Sequence, residues 1–256
     1  MSNKEIITFL DRYQKVQELE SVTFCGGEVF LLKNFTQLVN DLTAKGIFVQ
    51  IISNGTIDRL DEIKQANMVN LIVSLDGIES YHDQNRGEGN FAKSVELLRK
   101  ADRLGFHIEV FSIVTKQNLP LIEQFEHDLQ KQLNKKEKIS ITYHPRKPRS
   151  YLQKHPISNI LGQTKGFDFL SLAEINQLMQ DKQTFPPKDF GCYQISLMSS
   201  GKIYGCCEGI NPIGDINSDI TELIDKLKQR LDYFDNMKHS KGCLRCVEHE
   251  FKCGMN

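Results

Sequence analysis

With 256 residues, the chain is long enough for one large domain or two small ones and for a sizeable buried core. Lys plus Arg number 32 against 33 Asp plus Glu, and a formal charge of -1 gives no electrostatic case for nucleic acid or an anionic membrane as partner. No apolar run approaches the ~20 residues of a membrane span, and the polar start "MSNKEIITFLDRYQ" is no signal peptide, so the expected compartment is the cytoplasm.

From Lys4 to about Tyr143, helix-like and strand-like segments alternate. "KEIITFLDRYQKVQEL" has helical spacing and "SVTF" reads as a strand. "FTQLVNDLTAKG" is a helix closing on a glycine, a C-cap signal. "IFVQIISNGT" is a strand running into a turn, "IDRLDEIKQAN" a helix, and "VNLIVSLDG" a strand. "NFAKSVELLRKADRLG" is again a helix ending on glycine, followed by the strand "FHIEVFSIVT", the helix "LPLIEQFEHDLQKQLN" and the strand "KISITYH". Apolar strands alternating with amphipathic helices argue for a parallel sheet, open or closing into a barrel.

The strands end in small or polar residues: CGGE, SNGT, SLDG and VTKQN. In a parallel sheet these ends share one side, so Glu28, Asn54, Ser74, Asp76 and Thr115 are expected to line one face. Capping and turn chemistry is the alternative at each position taken singly. Gly26 and Gly27 lack a Cβ and let a backbone come close to a ligand. "PRKPRSYLQKHP" interrupts the pattern as a linker or an excursion at the mouth of the barrel. After about Ser171 come a helix, the β-hairpin "GCYQISLMSSGKIYGCC" turning at Ser200-Gly201, and a last helix "DITELIDKLKQRLDYFDNM" leading into "CLRCVEHEFKC".

Six of the seven cysteines lie in the last third: Cys192, Cys206, Cys207, Cys243, Cys246 and Cys253. In a cytosolic chain such clustering reads as metal or redox chemistry. Cys192 and Cys206 flank the hairpin, and Cys243 and Cys246 form a C-x2-C knuckle. Together they are expected to make a four-sulfur site, against the alternative of free buried thiols; such a site suits structural zinc or an iron–sulfur cluster, between which spacing alone does not choose. Cys25 is expected to pack as a small hydrophobe beside the glycines.

"FCGGEVFLL", "IISNGT", "VSLDGIESYHDQNRGEGNFAKSVELLRKADRLGF" and "IVTKQN" resemble successive strands of the radical S-adenosylmethionine (SAM) superfamily, and "CYQISLMSSGKIYGCC", "PIGDIN" and "CLRCVEHEFKCG" are similar to its auxiliary-cluster extension, SPASM or the shorter twitch. The resemblance implies a partial (β/α)6 TIM-like barrel missing its first strand, plus a small C-terminal cysteine-rich β-hairpin/helix module. Residues 1-150 would form the barrel, 151-170 a linker and 171-256 the auxiliary domain.

It further implies that Gly26, Gly27 and Glu28 hold the methionyl amine of SAM. Ser53 and Asn54 would lie near its ribose and methionyl groups, Ser74 and Asp76 would supply further contacts, and Arg86 would pair with its carboxylate. Cys192, Cys206, Cys243 and Cys246 would ligate an auxiliary [4Fe-4S] cluster, with Cys253 as a further candidate. His82 beside Asp83 falls in a structural turn. Val29 stands where the family usually has proline.

The 256 residues contain no C-x3-C-x2-C, the family's ligand set for the catalytic cluster. The expectation is that the chain starts after that strand and loop and, as it stands, does not cleave SAM. The implied activity is radical modification of a peptide or small molecule if the motif exists upstream. The alternatives are a catalytically degenerate auxiliary-cluster protein that binds a partner or peptide, and a zinc-stabilised binding module. Tyr143, His144 and Arg146, near the last strand's end, are candidates to meet substrate, against the alternative of a surface turn closed by Pro145. Replacing Cys192 or Cys243 with alanine is expected to remove most bound iron, measured by iron and sulfide analysis; unchanged iron in both variants would remove the ligand assignment.

Overall fold

The computed structural model describes residues 1–135, 137–145, 168, 170–171, 173–174, 177–178, 195–205 and 212–236. Two compact units emerge, one within Leu19–Arg146 and one containing the first helix and the later hairpin. The first is built on five strands: β1 (Ser21–Phe24), β2 (Phe48–Ser53), β3 (Val69–Ser74), β4 (His107–Val114) and β5 (Ser140–Pro145). They are all parallel and lie side by side in chain order. Each strand therefore needs a return segment before the next begins, which is why the apolar runs alternate with helices.

The helices of this unit are α2 (Phe35–Thr43), α3 (Glu79–Arg86), α4 (Asn90–Arg103) and α5 (Ile122–Leu133). Along the strands, alternate residues face opposite sides of the sheet. Val49, Ile51, Val69, Leu71, Val73, Val110 and Val114 are fully buried. They share a face with Phe24, whose ring meets Phe35 of α2 edge-on, and with Tyr143, whose hydroxyl donates to Glu126 of α5 at 3.0 Å. Leu42, Leu98, Phe125 and Leu129 complete that core from the helices. The opposite face carries Gln50, Ile52, Asn70, Ile72, Glu109, Phe111 and Thr142 and is only partly covered.

One predicted helix is absent. Residues 57–67 form two 3-10 turns, Leu60–Glu62 and Ala66–Met68. Asn40 of α2 takes the backbone bonds that a helix would have used, donating to the Glu62 carbonyl at 2.9 Å and accepting from the Lys64 N–H at 2.9 Å. Arg59 turns back to donate to the carbonyls of Phe30, Leu32 and Lys33 at 2.9–3.2 Å, anchoring the segment that follows Glu28. Conversely, Glu79–Arg86 forms a helix where only a turn is expected. Its Asp83 carboxylate accepts from the N–H groups of Gly89 and Phe91 at 2.7 and 2.8 Å, capping the start of α4.

In the second unit, α1 (Asn3–Gln14) starts with a reciprocal Ser2/Glu5 capping box. β6 (Ser196–Leu197) and β7 (Lys202–Tyr204) form the expected antiparallel hairpin, and β8 (Gly214–Asp215) adds a third strand that the sequence did not signal. Helix α6 (Ile220–Asn236) follows. Arg12 of α1 donates to the carbonyls of Ile216 and Ser218 at 2.8 and 2.5 Å. Cys192, Cys206, Cys207, Cys243, Cys246 and Cys253 lie outside the described residues, as do Arg146 and most of the linker. Among the described residues, no helix is long and apolar enough to cross a membrane.

The turn after β2 tolerates only glycine at its centre. Gly55 has φ +76, and a Cβ there would sit 2.5 Å from the Ser94 hydroxyl and 2.9 Å from its Cα. Gly55→Ala is expected to lower unfolding free energy by about 1–3 kcal/mol in chemical denaturation, because both the backbone conformation and α4 must yield.

Candidate functional site

The C-terminal ends of β1, β2 and β3 bring together most of the residues singled out in the sequence. After β1 the chain bends through Gly26, at φ +142, and Gly27; a Cβ on either would meet nothing within 4 Å. The backbone there borders open space, as close approach to a ligand requires. Glu28 then starts the 3-10 turn Val29–Leu31.

Three donors fix the Glu28 carboxylate. The Phe30 N–H lies 3.1 Å from Oε1, the Asn54 N–H lies 2.8 Å from Oε2, and the Ser53 hydroxyl bridges both oxygens at 3.0–3.1 Å. These contacts meet each oxygen twice and fix its orientation, and no ion pair among the described residues offsets the charge. Ser53 is 2% exposed, and its oxygen also accepts from Gly55 N–H at 3.0 Å; the hydroxyl is spent on orienting Glu28. The Asn54 side chain accepts from Thr56 and closes the same turn.

The second charge is Arg86. Its Nε and Nη2 grip Asp76 in a bidentate pair at 2.6 and 3.0 Å, while Nη1 has no partner among the described residues. Asp76 is itself held on every side. The Ile113 N–H donates to its carboxylate at 3.3 Å, its own N–H donates to His82 Nδ1 at 3.2 Å, and its carbonyl accepts from Asn118 Nδ2. Arg86 lines a cavity of about 220 Å³ with Asn54, Thr56 and Asn90. Asn54 thus joins the Glu28 end of the site to the Arg86 end. This rim presents an anchored anion and an anchored cation.

Other expected residues fall elsewhere. Ser74 ends β3 on the open face, paired in register with Phe111. Thr115 is fully buried and bonded to Tyr81 and Asn118, so it lines no face. Tyr143 points to the helix side, against Glu126; burial, and after it the Glu126 charge, pushes the phenol pKa up. His144 stacks on Phe111, with ring centres 4.5 Å apart and planes at 25°. Cys25, directly after the edge strand β1, is exposed as a residue, while surrounding atoms desolvate its thiol and push its pKa up. Among the described residues, no group of three or more His, Cys, Asp or Glu is placed to hold a metal. Asn90, Thr56 and Asn118 were not singled out in the sequence; the "TKQN" after β4 was the available sign of Asn118.

Residues 1–131 match the family model of the Radical SAM superfamily. The sporulation killing factor maturation protein SkfB of Bacillus subtilis (strain 168) is 31% identical over 103 residues, 38% of this chain and 25% of that protein. Among solved structures, Streptococcus suis SuiB bound to S-adenosylmethionine superposes with a TM-score of 0.62 at 16% identity, over 100% of this chain and 65% of SuiB. Native anSMEcpe with bound AdoMet and Cp18Cys peptide superposes with a TM-score of 0.65 at 14% identity, over 98% of this chain and 84% of that one. The chain therefore spans a quarter of its curated relative and about two-thirds of SuiB, and the structural likenesses show the fold.

His82 makes the rim sensitive to acid. The ring is fully buried, and burial pushes its pKa down to about 4 from 6.5; the nearby Arg86 lowers it further, while Asp76 and Asp83 oppose the shift. Accepting from Asp76 N–H requires the neutral ring. Its contribution is complete above pH 6.5 and is lost as pH falls toward 4, because the unfolded chain binds the proton first. Thermal melts should therefore drop between pH 6.5 and 4, by about 3 kcal/mol at full extent, with a flatter profile in His82→Leu. An identical slope in the variant would contradict this role.

Proposed function

The chain belongs to the radical SAM superfamily, and from that premise we propose that it binds SAM at the rim formed by Glu28, Asn54 and Arg86 and takes part in SAM-dependent radical modification of a peptide. The observation that carries the reading is the presence of two fixed opposite charges on one rim: Glu28 in the loop after β1 and Arg86 held by Asp76 after β3, with the end of β2 between them. Glu28 would receive the methionyl ammonium, and Arg86 Nη1 the methionyl carboxylate. Gly26 and Gly27 leave the space for that group to approach the backbone. Ser53, Asp76, His82 and Asn118 would act as positioning residues, since their polar atoms hold the charged side chains or the backbone beneath them.

When bound, a reduced [4Fe-4S] cluster in contact with SAM supplies the electron for its reductive cleavage. The described residues do not supply the three thiolates that such a cluster needs: Cys25 stands without a second cysteine among them. An auxiliary [4Fe-4S] cluster on Cys192, Cys206, Cys243 and Cys246, with Cys253 nearby in sequence, or zinc on the same thiolates, is supported by spacing and by the family's SPASM and twitch patterns. The domain division at residues 151-170 rests on the same sequence grounds. Support for a peptide substrate comes from the relatives: SuiB is known bound to the precursor peptide SuiA, and anSMEcpe with a peptide.

Calorimetric titration of the anaerobically reconstituted protein tests the rim. Glu28→Gln removes the charge and leaves one acceptor oxygen, so either the Phe30 or the Asn54 N–H loses its partner; it should weaken SAM binding about tenfold or more and lower stability by about 1–3 kcal/mol, leaving a folded protein. Equal affinity in the variant would overturn the assignment.

A further inference from the structure

The open face of the sheet carries a charge that the strand-end rim does not use. Glu109 lies mid-strand in β4, in register with Ile72 of β3 and Ser140 of β5. Its neighbour Val110 is fully buried under the helices, so Glu109 and Phe111 project to the other side. Asn70 Nδ2 donates to Oε2 at 3.3 Å and Thr142 Oγ1 donates to Oε1 at 2.5 Å, which locks the carboxylate between three strands. Each oxygen keeps an acceptor direction, and no ion pair among the described residues includes Glu109.

A cross-strand ladder does not by itself call for a charge. On the same face, β1 and β2 are joined by a neutral bond, Thr23 to Gln50 at 2.7 Å. A half-buried carboxylate beside Ile72 costs desolvation free energy that two neutral donors offset only in part. Those donors turn hydrogens toward the carboxylate, which suits an organic cation and not a metal ion. One row further along lies the Phe111–His144 stack, an aromatic surface on which the alkyl stem of a long basic side chain packs.

We propose that Glu109 is a recognition site for a cationic side chain, an ammonium or guanidinium on an alkyl stem, of the peptide that this protein modifies. The proposal rests on the peptide-modifying reading above, but its site is separate from the SAM rim. Asn70 and Thr142 fix the carboxylate, and Phe111 with His144 flanks the stem.

The test is a titration of the full chain, labelled at isoleucine δ1-methyl groups, with Nα-acetyl-lysine methylamide and, as control, Nα-acetyl-norleucine methylamide. The Ile72 methyl, next to Glu109 in register, should shift saturably with the lysine probe and not with the control. Glu109→Gln should weaken that binding at least tenfold, with SAM affinity and the remaining isoleucine signals unchanged. Equal binding by the variant, equal binding of the norleucine probe, or no saturable shift at Ile72 would overturn the proposal. Failure of SAM to bind while the lysine probe is held through Glu109 would sink the SAM reading and leave the cation site standing.

Discussion

The Asp76–Arg86 pair carries the geometry of the strand ends. Asp76 is 6% exposed on its side chain, and such a carboxylate is costly to bury unless every lone pair is used. Arg86 supplies two of the bonds and Ile113 a third, while His82 and Asn118 hold the peptide groups on either side. Removing the arginine from such a pair typically costs about 3–5 kcal/mol, because a buried charge is left alone. The same contact fixes Arg86 beside the cavity it lines, so stability and placement of the cation depend on one interaction.

Glu28 is built by the same logic with the sign reversed. A carboxylate on the loop after the edge strand would be mobile, yet Ser53 and Asn54 reach it from β2, and Arg59 ties down the segment that follows. Gly55 makes the turn after β2 tight enough for the Asn54 N–H to face the carboxylate. The two charges thus owe their positions to different strands, and Asn54 is the residue common to both ends.

Much of this was legible in the sequence where the signal was local. The five apolar strands, the glycine-closed helices and the polar strand ends read directly, because hydrophobic period and turn chemistry are properties of short windows. Residues 57–67 misled because their helical composition was overridden by Asn40, a side chain distant in sequence. Ser53 and Asp76 were singled out as groups near a ligand; the structure shows their polar atoms spent on Glu28 and Arg86. Thr115 and Tyr143 sat at plausible positions and face inward, since one residue of register decides which side of a sheet a side chain takes. Glu109 gave almost no sign beyond a charge inside an apolar strand.

The most direct test of the rim as an amino-acid site compares two ligands in place of two proteins. SAM and methylthioadenosine share the nucleoside and a sulfur atom, but only SAM carries the ammonium and carboxylate for which Glu28 and Arg86 are proposed as partners. Calorimetry should show SAM binding at least tenfold more tightly, with the preference lost in Arg86→Ala. Equal affinities in the wild-type protein would mean that the two fixed charges serve the fold alone.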